Sequence, residues 1–320
     1  MRLGTLMKLR GSRIADLHQV EGPLHLALGV FDGVHLGHQA VIGSAVKGAR
    51  KSGGLAGVLT FEPHPIQVLR PELAPRRILA SLDHKERLLS SLGVEVLLVL
   101  GFNLEMADQP AEEFAEELLS ISCLRQLVAG EDWAFGRKRE GTMEMLARVG
   151  ARYGVEVSAV EAVMLQGVRI SSTRLRQALC GGDLRMASEM LGRPYTVMGT
   201  VERGEQLGRR LGWPTANIGV GDEQLPPDGV YAVVVRSGEG KLQGIANLGN
   251  RPTVEGHRRL LEVHLLDFEG DLYGSQMEVC FGAYVREERQ FETVGQLQEQ
   301  IQRDVAEVRM LFGRGQADFQ

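Results

Sequence analysis

The feature that most restricts the fold of this chain is an alternation confined to its first 180 residues. Short aliphatic runs at 24–28, 55–60, 94–100, 127–130 and 155–159 are separated by stretches at 39–51, 83–91, 111–120 and 142–153, whose apolar residues recur at three and four. Strand, helix, strand, repeated, predicts a doubly wound parallel sheet, because parallel neighbours need crossovers and the crossovers are right-handed helices. After "CGGDLRMASEMLGRPY" the texture changes. Gly-rich turns now separate runs at 230–235, 260–268 and 277–285 that have period two and many β-branched residues, which predicts an antiparallel barrel or sandwich. Leu297, Ile301, Val305, Val308 and Leu311 stand near helical spacing, so an amphipathic helix over 294–312 is expected to close this part. The boundary falls near Gly181 and Gly182, giving an α/β domain over 1–182 and an all-β domain over 183–320.

Composition narrows the partners. With 43% hydrophobic and 24% charged residues, and apolar runs as short as that at 96–100, the chain offers no membrane span. The start, "MRLGTLMKLRG", lacks the seven-residue apolar segment of a secretory signal, so a cytoplasmic protein is expected. Cys123, Cys180 and Cys280 are odd in number and too scattered for metal spacing, and are read as three thiols. Residues 1–182 carry 21 basic against 20 acidic groups and the rest 15 against 21, which argues against a nucleic-acid partner. A homo-oligomer is compatible with all of this.

The first motif with chemistry is "GVFDGVHLGH", Gly29 to His38, at the end of the first strand. Ligands of open α/β sheets sit at the carboxyl ends of strands. A helix beginning near Leu36 or Gly37 turns its unpaired N–H groups toward this loop, a ready place for phosphate. Gly33 and Gly37 let a phosphate approach the backbone, and His35 and His38, three apart, can point the same way. With no "GK[ST]" this is not a Walker loop, and imidazoles would take the role lysine has there.

Those ten residues, matching "GxFDGxHxGH", resemble the nucleotidylyltransferase superfamily and specifically the FAD synthetase half of bifunctional riboflavin kinase/FAD synthetases. "ISSTRLR", Ile170 to Arg176, is similar to that superfamily's "ISSTxxR"; hydroxyls of Ser171, Ser172 and Thr173 at a helix start, with Arg174 and Arg176 behind, suit a leaving pyrophosphate. "VAGEDWAFGRKREGT" resembles "VGxDFxFG": Asp132 and Phe135 match, and Trp133 replaces a common Phe as tolerated packing. His64, in the Pro-bounded "TFEPHP", is read as structural. The resemblance implies that the 5′-phosphate of FMN attacks the α-phosphorus of ATP, with Gly29, Phe31, Asp32, Gly33, Gly37, Asp132 and the "ISSTRLR" residues around the nucleotide. His35 and His38 then donate hydrogen bonds to the reacting phosphates.

A second constellation lies beyond residue 200. "GRRLGWPTAN", Gly208 to Asn217, resembles the riboflavin kinase motif "GRxLGxPTAN", with Trp213 for the usual Phe. Pro214 holds the next residues extended, so Thr215 and Asn217 project to one side as two hard oxygen ligands suited to Mg²⁺. Gly204, Gly208 and Gly212, with Arg209, suit a flap over the nucleotide. Along "LLEVHLLDF" the alternation puts Leu261, Val263 and Leu265 on one face and Glu262 with His264 on the other. The resemblance makes Glu262 the catalytic base. "PPDGVYA", "NLGNRPT", "LYG" and "REERQF" extend it across the second domain, with Asn247, Arg251, Tyr273 and Arg286 as substrate contacts and Tyr231 as a packing residue.

The resemblance therefore implies an N-terminal Rossmann-like sheet, a C-terminal six-stranded barrel with a closing helix, and two reactions using riboflavin, FMN, ATP and Mg²⁺. A nucleotidylyltransferase for another phosphorylated molecule would leave "GWPTAN" and Glu262 unexplained. A non-catalytic flavin-binding module would bind flavin without turning over ATP, and an RNA-binding barrel is disfavoured by the acidic second half.

Overall fold

The computed structural model of the 320-residue chain describes residues 6–75, 77–204, 208, 211–238, 240–253 and 256–315, and at 11–12, 250–253 and 256–258 the backbone alone. By contacts the chain divides into a first unit, Met1–Arg76 with Leu82–Ser172, and a second, Arg77–Ser81 with Thr173–Gln320.

In the first unit the elements run β1 (Met7–Ser12), β2 (Leu24–Leu28), α1 (Leu36–Ser52), β3 (Leu55–Glu62), α2 (Pro65–Leu69), α3 (Leu82–Ser91) and β4 (Val96–Gly101). They continue with α4 (Leu104–Ala107), α5 (Ala111–Leu119), β5 (Leu124–Gly130), α6 (Met143–Tyr153), β6 (Glu156–Val160) and the short hairpin β7 (Met164–Leu165) and β8 (Val168–Arg169). Six strands form one parallel sheet in the order β1-β4-β3-β2-β5-β6, as the alternation predicted. Helical crossovers cover both faces, so β2 is buried at every position. The five runs that read as strands are β2 to β6; β1 was not foreseen. It is an edge strand whose Lys8 and Arg10 look like surface residues until Glu86 is placed against them, with Lys8 Nζ and Arg10 Nε each 2.6 Å from a Glu86 oxygen. The strand order reverses between β2 and β5, so the crevice at their carboxyl ends is the topological switch point.

The second unit comprises α7 (Ser172–Cys180) from its second residue onward, α8 (Leu184–Leu191), β9 (Thr196–Glu202), β10 (Ala216–Gly219), β11 (Gly229–Ser237), β12 (Gly240–Thr253), β13 (Gly256–Leu265), β14 (Gln276–Arg286) and α9 (Val294–Gly313). All six strands pair antiparallel and close as β10-β13-β12-β11-β14-β9, which decides for the barrel over the sandwich. Six strands leave no room for a helix inside. Val305, Val308 and Phe312 of α9 therefore pack on the outer face, against Val230, Ala232 and Ile245. Tyr231 points the other way: it is 1% exposed, its ring meets Phe281 and Tyr284 edge-on, and its hydroxyl donates to the Pro227 carbonyl, so it packs as expected. Residues 77–81 join this unit through backbone bonds of Ile78 to Asp222 and Gln224 and through the buried Glu223, which accepts from the Ser81 amide and hydroxyl.

Candidate active sites

The loop after β2 carries the first site. Its carbonyl at Val30 accepts from Thr60 Oγ1 at 2.9 Å and Lys85 Nζ at 3.1 Å. Beyond it Phe31 (φ 53°), Gly33 (φ 85°) and Val34 (φ 46°) all take left-handed backbone, a conformation that costs a non-glycine residue about 1 kcal/mol or more. The Phe31 ring folds back over Gly29, where a Cβ would come within 2.8 Å of it, and meets His38 edge-on at 5.4 Å. A glycine at 29 is thus required by close approach.

His35 is the N-cap of α1, and its Nδ1 accepts from the His38 amide at 3.3 Å. With Nδ1 an acceptor, the neutral ring carries its proton on Nε2. The two imidazoles stack with centroids 3.6 Å apart and planes 17° apart, so they stand together. Burial pushes the His35 pKa down to about 4 against the opposing pull of Asp32, and drives His38 well below the ordinary value, with His35, Lys85 and Arg169 lowering it further. Both rings are neutral near pH 7. They can donate hydrogen bonds but bring no charge. His38 Nδ1 is buried with no hydrogen-bond partner among the described residues, a polar atom that a ligand or water would complete.

Gly37, Asp32 and Ser172 lie at that pair or on its loop. Gly37 lies in the first turn of α1, where a Cβ would come within 3.1 Å of the His35 ring. Asp32 is buried, and its carbonyl accepts from Ser172 Oγ at 2.9 Å, which ties "ISST" to "GVFDG". Ser171 precedes α7, and Thr173, Arg174 and Arg176 continue it into the second unit, where Arg174 meets Met186 and Arg176 Nε donates to the Arg77 carbonyl. Asp132, just after β5, is held by Arg169 of β8 through two contacts of 2.8 and 2.7 Å, and that guanidinium keeps its carboxyl below the usual range. Trp133 stacks on Phe61 at 6.2 Å, and His64 caps α2. Lys85, Thr60 and Arg169 escaped the sequence reading. The signal for Lys85 was present as a lysine on the same helical face as Leu88 and Leu89, a face that belongs to the core.

The second unit builds its site on the outside of the barrel. Asn217 of β10 pairs with Glu262 of β13, Glu262 with Asn247 of β12, Asn247 with Val230 of β11, and Val230 with Arg286 of β14. Directly opposed residues share a face, and Val230 packs on α9, so this polar row faces outward beneath the helix. Glu262, Asn247, Arg286 and Val230 line one cavity of about 200 Å³ with Trp213 and Asp304. A larger one, about 570 Å³, lies among Pro214, Ala216, Val263, Phe268, Asp271 and Tyr273. Thr215 lines both cavities.

Arg286 is fixed by Asp304 of α9 through contacts of 3.0, 3.0 and 2.7 Å, and Gln300 donates to the same carboxylate at 2.7 Å. Asp304 is 3% exposed. His264 Nδ1 donates to the Pro214 carbonyl at 2.8 Å and its ring meets Trp213 edge-on, which holds the "GWPTAN" turn against β13. Glycines let the preceding segment come close: a Cβ on Gly204 would lie 2.2 Å from the Asn217 amide nitrogen, and one on Gly208 would lie 3.1 Å from Thr215 Oγ1. Gly212 turns with φ 89°. Arg209 lies outside the described residues, and Arg251 sits on β12 with its backbone alone described. Among the described residues no group of three or more His, Cys, Asp or Glu side chains could hold a metal, and the cysteines are free.

Known proteins share both halves of this arrangement. A family model for FAD synthetase matches residues 18–174 and one for riboflavin kinase matches 191–312. The bifunctional riboflavin kinase/FMN adenylyltransferase of Escherichia coli strain K12 is 40% identical over 291 residues, covering 90% of this chain and 92% of its own. The protein of that description from Bacillus subtilis strain 168 is 36% identical over 292 residues, again covering 90% and 92%. A solved chain from Streptococcus pneumoniae described as a macrolide-efflux protein is 32% identical, covers 95% of this chain and 99% of its own, and superposes with a TM-score of 0.81. Efflux is that protein's description; among the described residues here no helix is long and apolar enough to cross a membrane.

Proposed function

Since the chain belongs to the family of bifunctional riboflavin kinase/FMN adenylyltransferases, we propose that it phosphorylates riboflavin with ATP in its second unit and adenylylates the resulting FMN with ATP in its first. The observation that carries this reading is the ordered pairing of two constellations, with His35 and His38 in the segment matched by the FAD synthetase model and Thr215, Asn217 and Glu262 in that matched by the riboflavin kinase model. A transferase acting on another phosphorylated molecule would use the stacked histidines and leave the Glu262 row without a task. We place the functional boundary at 182/183, so that 1–182 act as the adenylyltransferase and 183–320 as the kinase, in the cytoplasm.

In the first reaction Glu262 accepts the proton of the ribityl 5′-hydroxyl, whose oxygen bonds to the γ-phosphorus of ATP as the bond to ADP breaks. The base must touch the alcohol, so riboflavin belongs in the Glu262 cavity and ATP in the larger one, with the reacting phosphate beside Thr215, which lines both. Arg286 and Asn247 border the flavin and Tyr273 the nucleotide, and the resemblance adds Gly208, Arg209 and Gly212 as nucleotide contacts. Thr215 and Asn217 would hold a Mg²⁺ ion: two neutral oxygens leave its other positions to water and phosphate, and the glycines at 204 and 208 keep side chains off Asn217 and Thr215 respectively. When bound, the ion would neutralise phosphate charge.

In the second reaction an oxygen of the FMN phosphate attacks the α-phosphorus of ATP and pyrophosphate leaves. The α1 amides and the Nε2–H groups of His35 and His38 stabilise the charge on the transferring phosphate. Ser171 and Ser172 hold the leaving pyrophosphate, and Asp132 fixes Arg169, whose charge acts on both histidines.

The test is direct. Incubated with riboflavin, ATP and Mg²⁺, the protein should yield FMN and then FAD by chromatography, with ADP and pyrophosphate released. Tight flavin binding without ATP turnover would overturn the reading.

A further inference from the structure

Lys85 is a lysine in the core. It projects from α3 and is 4% exposed, and its Nζ donates to the Val30 carbonyl, 3.1 Å away. Burying an ammonium this deeply is unfavourable unless charge and hydrogen bonds compensate. Here Asp32 and Glu62 pull its pKa up against desolvation, which pushes it down. Methionine or leucine would fill such a place on a core-facing helix at lower cost. The position of its contact suggests what the lysine does.

Val30 is the last residue before the left-handed run at Phe31, Gly33 and Val34, and His35 comes directly after that run as the cap of α1. Two of those three residues are not glycine, so the run is strained and must be held by its surroundings. Thr60 Oγ1 and Lys85 Nζ hold the carbonyl at its root. If that carbonyl swings free, Phe31 loses its seat over Gly29, and the edge-on contact of Phe31 with His38 goes with it.

We infer that Lys85 is a positioning residue for adenylyl transfer: together with Thr60 it clamps the Val30 carbonyl and so fixes the strained loop that aims His35 and His38. The inference rests on the proposed adenylyltransferase activity of the first unit. It gives the buried lysine a role without having it touch a substrate.

Two donors on one carbonyl make a double-mutant cycle the natural experiment. Lys85→Met, Thr60→Val and the double variant are prepared in the full chain, and FMN adenylylation and riboflavin phosphorylation are measured on each. Each single variant should lower kcat for FAD formation about tenfold or more with KM for ATP and FMN changed less than about threefold, as expected when geometry and not binding is lost. The double variant should be little worse than the poorer single one, because both substitutions release one carbonyl. Riboflavin kinase activity should stay at the parental level in all three, which reports that the chain is folded. Lys85→Met within twofold of the parent, losses that multiply independently, or a loss carried by KM for ATP would each overturn the inference. If Lys85→Met does not fold, Thr60→Val alone must still show the kcat loss. A parent that makes no FAD at all would instead refute the underlying activity.

Discussion

The two sites solve one chemical problem, transfer of a phosphorus group from ATP, with opposite materials. The first is buried: a strained loop at a sheet switch point, helix amides, and two imidazoles kept neutral by desolvation. The second lies on the outer face of a barrel, where cross-strand register lines up Asn217, Glu262, Asn247 and Arg286 and a helix roofs them through an ion pair. The reactions account for the difference. FMN brings its own ionised phosphate as nucleophile, so the first site needs donors and no base. Riboflavin brings an alcohol, so the second needs a carboxylate to take a proton. On the proposed roles, desolvated neutral donors would serve the one and a solvent-reachable carboxylate the other.

The comparison can be broken most severely at the base. Glu262→Gln should lower FMN formation by about a thousandfold while supplied FMN is adenylylated at the parental rate; equal loss of both would mean that the sites are not separate. Next comes the donor pair: His38→Ala should cost FAD formation about a hundredfold and leave the kinase unchanged. A smaller effect is expected at the roof. Asp304→Asn frees Arg286 from its paired carboxylate and should raise KM for riboflavin about tenfold, with adenylylation unaffected.

The smallest effect sharpens the electrostatic half of the contrast. His35 titrates near 6.5 when unfolded and at about 4 when folded, so between those values the unfolded chain binds the extra proton and folding weakens as pH falls. The first unit should lose about 1 kcal/mol by pH 5.5 from this group alone. Trp133 and Trp213 are the two tryptophans and lie one in each unit, so fluorescence melts of Trp213→Phe track the first unit by itself. His35→Gln should flatten that acid dependence; an unchanged slope would show that the imidazole is not the group responsible.

Much of this is legible in the sequence alone. Strands β2 to β5 announce themselves because parallel strands buried on both faces are continuous aliphatic runs, and α9 because its apolar residues keep helical spacing. His35, His38, Thr215 and Glu262 stand out because their chemistry is compressed into short motifs. The features that stay hidden depend on distant pairing. The edge strand β1 looks polar until Glu86 is placed beside Lys8 and Arg10, and Asp132 reveals its ion pair only once the hairpin returns Arg169 to it across 37 residues. Barrel and sandwich cannot be told apart, since the closing pair β9 with β10 is a matter of which edges meet. The bond from Ser172 to the Asp32 carbonyl, 140 positions apart, joins two motifs that the chain presents as unrelated.

The claim that one chain holds two independent transfer sites is tested most directly by complementation. His38→Ala and Glu262→Gln proteins are each incubated with riboflavin, ATP and Mg²⁺, separately and then mixed. His38→Ala alone should stop at FMN, Glu262→Gln alone should leave riboflavin untouched, and the mixture should accumulate FAD as FMN passes from one molecule to the other. A mixture that still halts at FMN, or variants that each lose both steps, would contradict it.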